Sequence, residues 1–489
     1  MRQLEVRDKY TGELIDSLLM DYRRDLRSKI HQAYRARNAV QALSWDQRLA
    51  MIQDVGERIA THREELISLS IREAGQPRKF ATWEVNRTEE MARTFETRQQ
   101  LLRPRVLPAL QGDNVWVRKP YGVVGAVAPR NVPLVVPFFM ISCALGSGNT
   151  VVVKPASAAP LTTRWLVDAF LEAGAPAESV HFTTCPGEET AWEFIENPEL
   201  DVFVNYSSTA VGKDNLIKMG QYLDSTKRQV GECLLHIEGR MKKYVPELAG
   251  NDPFIVLASA DLEQAVSATV LGGFANAGQM CIAAKRFLVA RPVADAYRSR
   301  LVQAIRTLKV GDPTAPETDI GPIGSQNTLD VAAYHVSEAL QRGGQVLTGG
   351  EGRLPFFSPT LIEFDKEMVL DKPPLEQPFL WVEESFAPVR SLIVFDTIEE
   401  ALALANDTTY GLGASVFGSS DEARYVAIRL DAARVMINES PLYGDDTLPL
   451  GGVKDSGLNG AMDKIEEMTY VKRVHVGQCR AVCQNGAKS

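Results

Sequence analysis

Apolar positions recur at helical spacing through the first part of the chain. Between residues 24 and 102 they stand three and four residues apart with charged residues between them, which predicts amphipathic helices. From about residue 115 the pattern changes to short runs rich in valine, VWVRKPYGVVGAVAP and TVVVKPAS. These runs are followed by the helical stretch LTTRWLVDAFLEAGAP, which we expect to stop at Gly174 and Pro176, and then by VHFTTCPG and DVFVNYSS. This alternation predicts a parallel β-sheet covered by helices on both faces.

A second series of the same kind begins after Gly250. It comprises PFIVLAS, a helix from Asp261 into FANAGQ, the run KRFLVA, the helix VADAYRSRLVQAIRTL, and later SLIVF, ASVFG and RVMINE. The stretch MTYVKRVHVG near the end alternates as an exposed or edge strand does. We find no internal repeat and no low-complexity linker. The expected fold class is therefore α/β, with two parallel-sheet domains.

Length and charge favour a soluble enzyme. A chain of 489 residues exceeds one ordinary domain, so two or more large domains are expected. The 53 basic and 62 acidic residues give a net charge of −9, which argues against nucleic-acid and anionic-membrane partners. The chain contains no run of about 18 uncharged apolar residues. The N-terminal segment MRQLEVRDKYTGELID has no apolar signal core, so we expect a cytoplasmic location.

The six cysteines are too scattered for a disulfide framework. Four of them lie far apart: Cys143, Cys185, Cys233 and Cys281. A reducing compartment suits such thiols. Cys479 and Cys483 form CxxxC near the end without neighbouring histidines, so two surface thiols are expected there and no metal site.

Cys281 ends the run FANAGQMC, in which small residues and Gly278 allow a tight turn around a thiol. A free thiol has a pKa of about 8.5, so a nucleophilic cysteine needs a helix N-terminus or a nearby positive dipole. Glu247 in VPELAG, 34 residues upstream, is a candidate base, and Asn131 in APRNVPL is a candidate hydrogen-bond donor to an oxyanion. The alternatives are a buried small hydrophobe, a solvated carboxylate and an asparagine in a turn before proline, respectively.

Eight strings together resemble the aldehyde dehydrogenase superfamily, in the family order and across almost the whole chain. They are APRNVPLVVPFF, TVVVKPAS, YSSTAVGK, VPELAGNDP, FANAGQMC, EESFAPV, YGLGASVF and LPLGGVKDSG. The resemblance implies two Rossmann-like domains, one binding NAD(P) (1–102 and 121–249) and one catalytic (250–448). It also implies an oligomerisation element (103–120 and 466–489), in which the C-terminal strand pairs with the 103–120 hairpin to join subunits into a homodimer or homotetramer.

The same resemblance assigns the chemistry. Cys281 would attack the aldehyde, Asn131 and the backbone N–H of Cys281 would hold the oxyanion, and Glu247 would activate the water that hydrolyses the resulting thioester. The implied reaction converts an aldehyde, NAD(P)+ and water to a carboxylate and NAD(P)H. Two alternatives stay open: a CoA-acylating dehydrogenase, which the presence of Glu247 disfavours, and an inactive binding or structural member of the fold.

The resemblance also implies a cofactor site. It places Lys154 on the adenosine ribose, Ser208 and Gly212 at the pyrophosphate, and Glu384 and Phe386 at the nicotinamide ribose and ring. Ser157 stands where NAD-preferring relatives often carry glutamate, and a serine there does not repel a 2′-phosphate, which favours NADP or use of both cofactors. Without a cofactor role, Lys154 would be an exposed lysine at a strand end, Glu384 part of an acidic loop and Phe386 a core aromatic residue.

Several positions depart from the family pattern. Ser207 and Ala249 replace glycines, which constrains the backbone at both places. Arg130 stands where many relatives have tryptophan and Leu450 where many have phenylalanine, so an anionic or polar aldehyde is a possible substrate. The segment between Thr209 and Glu247 is longer than in the family, which predicts a lengthened helix or an added surface loop beside the cofactor.

Overall fold

The computed structural model describes residues 2–109, 112–230, 233–236 and 240–477, and of the two short ranges 227–230 and 233–236 it describes the backbone alone. The predictions for Cys479 and Cys483, and the last part of the oligomerisation element, lie outside the described residues.

The β-strands follow one another along the chain as β1 (Gln3–Arg7), β2 (Leu14–Leu19), β3 (Arg105–Pro108), β4 (Asp113–Pro120), β5 (Val123–Val127), β6 (Thr150–Lys154), β7 (Val180–Phe182), β8 (Val202–Tyr206), β9 (Lys227–Val230), β10 (Cys233–His236), β11 (Lys243–Glu247), β12 (Asp252–Val256), β13 (Ala284–Ala290), β14 (Gln345–Thr348), β15 (Gly352–Arg353), β16 (Phe356–Phe357), β17 (Thr360–Phe364), β18 (Val389–Phe395), β19 (Gly413–Phe417), β20 (Arg434–Ile437) and β21 (Thr469–Val476).

The α-helices are α1 (Arg23–Ala42), α2 (Trp45–Thr61), α3 (Arg63–Ala74), α4 (Arg78–Thr94), α5 (Gln99–Leu102), α6 (Val135–Ser147), α7 (Leu161–Glu172), α8 (Gly187–Glu196), α9 (Thr209–Ser225), α10 (Leu262–Phe274), α11 (Arg291–Thr307), α12 (Gln326–Gln341), α13 (Phe379–Val382), α14 (Ile398–Asn406), α15 (Ser420–Ala427) and α16 (Lys464–Glu467). In the described part of the chain, no helix combines the length and apolar character needed to cross a membrane.

The first sheet has five parallel strands in the order β11-β8-β5-β6-β7. Its strands are apolar on both faces, because helices cover both. Val151 and Val153 of β6 belong to the core cluster that contains α6, whereas Val152 packs into a cluster with α1 and α8. All 13 residues of α6 are buried, since other helices surround it. The predicted parallel sheet with two covered faces is confirmed.

The second sheet has seven strands in the order β14-β17-β18-β13-β12-β19-β20. All neighbours are parallel except β14, which runs antiparallel to β17 at one edge and was not expected from the sequence. The helix predicted from Asp261 begins where it should, because the Asp261 carboxylate accepts hydrogen bonds from the backbone N–H groups of Glu263 and Gln264.

A third, antiparallel sheet joins distant parts of the chain. Strand β21 pairs along its length with β4, and β4 pairs with β3, so the predicted pairing of the C-terminal strand with the hairpin near residues 103–120 is present within one chain. The N-terminal segment forms the hairpin β1-β2, which was not predicted from the sequence.

The extended segment before Glu247 contains a helix and a hairpin. Helix α9 starts at Thr209 and ends at Ser225, and the strands β9 and β10 then pair antiparallel. The extra segment, for which we expected a lengthened helix or an added surface loop, therefore includes a short β-hairpin.

Candidate active site

A cavity of about 550 Å³ lies where the carboxyl ends of the first-sheet strands face the loops of the second sheet. This is the usual place for a ligand in open α/β sheets. Its walls are mostly apolar. The predicted or discussed residues that line it are Arg130, Asn131, Ser207, Ser208, Glu247, Ala249, Cys281, Glu384, Phe386 and Leu450. The structure thus brings the three candidate catalytic residues into one cavity.

The segment that carries Cys281 is a tight turn between a short 3₁₀ turn and β13. Asn276, Ala277 and Gly278 have φ angles of 52°, 55° and 70°, in the left-handed region that side chains disfavour. At Gly278 a Cβ atom would lie 2.3 Å from the Arg390 guanidinium, so only glycine fits there. Arg390 is fully buried and donates to the Gly278 carbonyl at 3.0 Å, which holds the turn in place. The expected tight turn around the thiol is confirmed.

Desolvation by the surrounding protein favours the protonated form of the Cys281 thiol, although the residue is only partly buried where it borders the cavity. Burial raises its pKa to about 12, and the ammonium of Lys285 lowers it only in part because Glu384, 3.1 Å from that ammonium, opposes it. The thiol follows a 3₁₀ turn and precedes a strand, so no helix begins at it. The nearby positive group is the ammonium of Lys285, which lowers the pKa of the thiol, while desolvation raises it. The role of Cys281 as a nucleophile stays a prediction.

Asn131 is tied to the same turn by reciprocal hydrogen bonds. Its side-chain N–H donates to the Gln279 carbonyl at 2.8 Å, and its own carbonyl accepts from the Asn276 amide at 3.0 Å. The side-chain nitrogen also lies 3.6 Å from the Met280 sulfur. A thioether is a weak acceptor, so this second N–H is available to a stronger one such as an oxyanion.

A buried carboxylate fixes the loop that carries Asn131. Glu84 of α4 accepts from the backbone N–H groups of Leu134 and Val135 at the start of α6, at 2.9 and 3.0 Å. Gln76 donates both to Glu84 and to the Asn131 carbonyl. Burial raises the Glu84 pKa to about 7. No sequence pattern indicates this support, because neither Glu84 nor Gln76 lies near Asn131 along the chain.

Glu247 is the last residue of β11 and is 7% exposed. Burial raises its pKa to about 7, although the ammonium of Lys464, with which it forms an ion pair, opposes that shift. A carboxylate with a pKa close to neutral is suited to taking and releasing a proton. Tyr206 stands opposite Glu247 in register, and its hydroxyl is buried with no hydrogen-bond partner among the described residues.

The start of α9 faces the cavity through Ser208. The Ser208 side chain caps the helix by accepting from the Val211 N–H at 3.4 Å, and Ser207 and Ser208 both line the cavity. A helix N-terminus with free N–H groups fits a pyrophosphate. Gly212, in contrast, does not line the cavity. A Cβ atom there would lie 2.5 Å from the Leu248 side chain, so Gly212 allows α9 to pack closely on the loop after Glu247.

Lys154 and Ser157 lie together just outside the cavity, and Ala156 between them contacts it. The Lys154 ammonium donates to the Pro155 carbonyl at 2.7 Å and lies 3.4 Å from the Ser157 hydroxyl. Burial lowers its pKa to about 8. No carboxylate of the described ranges pairs with Lys154. These side chains therefore fit the hydroxyl groups of a ribose, since the ammonium has donors to spare.

Glu384 and Phe386 line the opposite wall. Glu384 accepts from the Gly250 N–H at 3.3 Å besides its contact with Lys285. The Arg130 guanidinium lies 5.7 Å from the centre of the Phe386 ring and donates to Gln279 at 3.0 Å. Burial lowers the Arg130 pKa to about 10. The arginine thus packs against a residue predicted to contact the nicotinamide.

Sequence reasoning missed several polar residues at the cavity. Arg87 and Arg98 both contact Asp446, at 2.6 and 3.5 Å, and Arg434 donates to two carbonyls while its Nε atom has no partner in the described part of the chain. Lys464, which does not line the cavity but forms an ion pair with Glu247, was missed as well. Each of these residues looks like an ordinary surface charge in the sequence, and only their burial in the fold reveals them.

Comparison with known proteins agrees with this geometry. Residues 1–474 match the aldehyde dehydrogenase family. The chain is 28% identical to a lactaldehyde dehydrogenase of Methanococcus aeolicus over 482 residues, covering 97% of each chain. It is 30% identical to the mitochondrial succinate-semialdehyde dehydrogenase of Arabidopsis thaliana over 482 residues, covering 96% of this chain and 86% of the relative.

Among solved structures, it is similar to the glyceraldehyde-3-phosphate dehydrogenase GapN of Methanocaldococcus jannaschii in complex with NADP. The TM-score is 0.87 and the identity 29%, over 98% of this chain and 100% of the other. The predicted fold is thereby confirmed. The chain belongs to the aldehyde dehydrogenase family, and it is an NAD(P)-dependent oxidoreductase that acts on aldehydes.

Proposed function

We propose that the chain oxidises its aldehyde through a thioester on Cys281, which water then hydrolyses with help from Glu247. The observation that carries this proposal is that Cys281, Glu247 and Asn131 line one cavity, with Asn131 hydrogen-bonded to the Cys281 turn. An isolated buried cysteine needs neither a carboxylate with a pKa near neutral beside it nor a left-handed turn to present it. The three features together favour a nucleophile over a core residue.

The residues act in sequence. The Cys281 thiol gives its proton to the Glu247 carboxylate, which passes it on to solvent, and the sulfur bonds to the carbonyl carbon. The carbonyl oxygen takes up the electron pair of the opened C=O bond and accepts from the Asn131 side chain and the Cys281 backbone N–H. When bound, NAD(P)+ supplies the acceptor for the hydrogen and electron pair that leave this carbon. Glu247 then takes a proton from a water as the water oxygen attacks the thioester carbon. The C–S bond breaks, the sulfur leaves as a thiolate that regains this proton from Glu247, and the carboxylic acid releases its own proton to solvent as a carboxylate.

The cofactor site is proposed from the residues that fit a dinucleotide. Ser208 with the start of α9 would hold the pyrophosphate, Lys154 the adenosine ribose, and Glu384 and Phe386 the nicotinamide end. Gly212 would serve by letting α9 approach closely. Because Ser157 next to Lys154 carries no negative charge, we infer use of NADP, or of both cofactors.

The substrate is proposed to be a short aldehyde with a polar or anionic group. Arg434 lines the cavity and within the described ranges it forms no ion pair, so its guanidinium is a candidate to receive a carboxylate or hydroxyl. The relatives that act on lactaldehyde and succinate semialdehyde support the same class. A panel of anionic, hydroxylated and plain aliphatic aldehydes, compared by kcat/KM in wild type and Arg434→Met, tests this choice.

We further infer a homodimer or homotetramer joined through β3, β4 and β21, because this sheet exposes the apolar residues Val106, Tyr470, Val471 and Val474. The predicted domain division is supported by the first sheet lying between Val123 and Glu247 and the second between Asp252 and Ile437. A reduced Cys281 favours a cytoplasmic location.

Two variants test the mechanism. Cys281→Ala is expected to abolish aldehyde oxidation while leaving dinucleotide affinity close to wild type. Glu247→Gln is expected to release about one equivalent of NAD(P)H per site rapidly and then slow by about 10²- to 10⁴-fold, with the acyl group trapped on Cys281. Turnover of Glu247→Gln at the wild-type rate contradicts the hydrolytic role, and a wild type that is slow until CoA is added supports the acylating alternative.

A further inference from the structure

A fully buried cation lies behind Glu247. Lys464 of α16 forms an ion pair with the Glu247 carboxylate, and its ammonium lies 2.6 Å from the carboxylate of Glu467, one turn further along the same short helix. The side chains of Lys464, Glu247 and Glu467 are 0%, 7% and 0% exposed. Such a group of charges is rarely buried without a purpose, because each one loses its hydration.

The surroundings fix the ammonium. Lys464 also donates to the carbonyl of Leu450 at 3.1 Å, so its three N–H groups all have acceptors, and the Leu450 side chain lines the cavity. Glu467 accepts from the Asn459 amide on its other oxygen. Lys464 therefore has little freedom to move away from Glu247, whereas Glu247 itself borders the open cavity.

One cation is shared by two carboxylates. Burial has the largest effect on the Glu247 pKa and raises it. The ammonium of Lys464 lowers this pKa, and the carboxylate of Glu467 raises it. The same two carboxylates hold the Lys464 pKa above its usual value, so the ammonium stays charged. The proton affinity of Glu247 thus depends on the attraction by the Lys464 ammonium and on the repulsion by the Glu467 carboxylate that contacts the same ammonium.

The other titratable groups that face Glu247 are uncharged near neutral pH. Tyr206 reaches it from β8 and Cys281 from the turn before β13, and burial raises the pKa of both. Lys464 and Glu467 are therefore the charged neighbours that set the electrostatics of Glu247 in the described part of the chain.

We propose that Lys464 and Glu467 are positioning residues for the base. Lys464 stabilises the ionised form of Glu247 at the edge of the cavity, where the carboxylate can activate water. Glu467 weakens this stabilisation, so that Glu247 can still take a proton. Neither residue touches the reacting atoms. The proposal rests on the proposed function, since it matters only if Glu247 assists hydrolysis.

The test follows hydrolysis of an acetyl group placed on Cys281 by p-nitrophenyl acetate, measured as a function of pH without dinucleotide. In wild type the rate is expected to rise as Glu247 loses its proton, with an apparent pKa near 7. Lys464→Met removes a cation, so it is expected to move this rising limb of the pH–rate profile to higher pH. Glu467→Gln leaves the whole charge of Lys464 to Glu247 and is expected to move the limb to lower pH. A close charge shifts a pKa by about 1 to 3 units, so either displacement is measurable.

Glu466→Gln is the matched control. Glu466 lies on the same helix but pairs with Arg118, so its loss is expected to leave the limb in place. Opposite shifts in the two test variants support the proposal, because a merely structural role would not reverse sign between them. If both limbs stay within a few tenths of a pH unit of wild type, or move in the same direction, the proposal is overturned.

The failure of this proposal is distinguishable from failure of the base assignment. If Glu247→Gln hydrolyses the acetyl group at the wild-type rate, Glu247 is not the base and the proposed function fails first. If Glu247→Gln is slow and the Lys464 and Glu467 variants do not shift, only the present inference fails. Should Lys464→Met not fold, the downward shift of Glu467→Gln alone decides, since it replaces a carboxylate by an amide of the same shape.

Discussion

The protonation state of Cys281 yields a sharp prediction for the protein without ligands. We expect alkylation of Cys281 by iodoacetamide to accelerate about tenfold per pH unit up to at least about pH 10, with no plateau, because only the thiolate reacts. With a pKa of about 12, roughly one thiol in 10⁵ is ionised at pH 7, against roughly 3% for a thiol of pKa about 8.5. Cys281 should therefore react roughly 10³-fold more slowly than an ordinary exposed thiol.

The assay is mass-spectrometric quantification of the carboxamidomethylated peptide that contains residue 281, with Cys281→Ala as the blank. Cys143 and Cys185 are free but buried, so they are followed as separate peptides. Glu384→Gln should accelerate the reaction, because Glu384 raises the Cys281 pKa, and Lys285→Met should slow it. A plateau below about pH 9, or fast alkylation at pH 7, would refute the reasoning.

Three further predictions concern the cofactor and the scaffold. Gly278→Ala brings a Cβ atom to within 2.3 Å of Arg390 at a position with positive φ. The thiol is then misplaced, so kcat should fall on the order of 10²-fold. An unchanged kcat would contradict the role of this turn in placing the thiol. Ser157→Glu should reduce kcat/KM for NADP far more than for NAD, with Ser157→Gln as the neutral control, and equal losses would show that Ser157 does not face the ribose. Arg286 is fully buried, donates to three carbonyls and lies over the Trp381 ring at 5.0 Å. Arg286→Met should lower the free energy of unfolding by about 3 to 5 kcal/mol in urea titration, and a loss below about 1 kcal/mol would contradict the role of these bonds.

The sequence predicted the architecture well because local pattern and fold agree there. The runs VVGAV and TVVVK became buried parallel strands, and Asp261 caps the helix predicted to start at it. The preceding run VWVRKP, predicted for the same sheet, instead forms the half-buried antiparallel strand β4. The edge strand β14 and the hairpin β1-β2 were missed. Both are short, and β1 and β2 are largely exposed, so their apolar pattern is weak and their pairing depends on tertiary contacts.

The candidate site was predictable in part. The motifs around Asn131, Glu247 and Cys281 pointed to residues that the fold brings to one cavity. The ionisation of Cys281 was not predictable, because it depends on desolvation, which no local sequence reveals. Lys464 was equally hidden, since DKIEE looks like a charged surface turn until the fold buries it.

The two key groups also constrain how the first step proceeds. The Cys281 thiol has a pKa of about 12 and the Glu247 carboxylate one of about 7. Moving the proton from the thiol to the carboxylate in the free protein is therefore unfavourable, because desolvation raises the thiol pKa well above that of the carboxylate. A separate proton transfer would add to the barrier of the first step.

A transfer that accompanies attack on the carbonyl avoids most of this cost, because the developing oxyanion is stabilised by the Asn131 side chain as the thiol proton departs. A weaker interaction with Lys464 would raise the Glu247 pKa and make the carboxylate a stronger base for the thiol. It would also leave less of the carboxylate ionised at neutral pH. The same carboxylate must later accept a proton from water, so a pKa near 7 serves both steps. Burial raises the Glu247 pKa towards that value, Lys464 opposes the rise, and Glu467 adds to it, so the buried ion-pair group sets where between the two limits the carboxylate titrates.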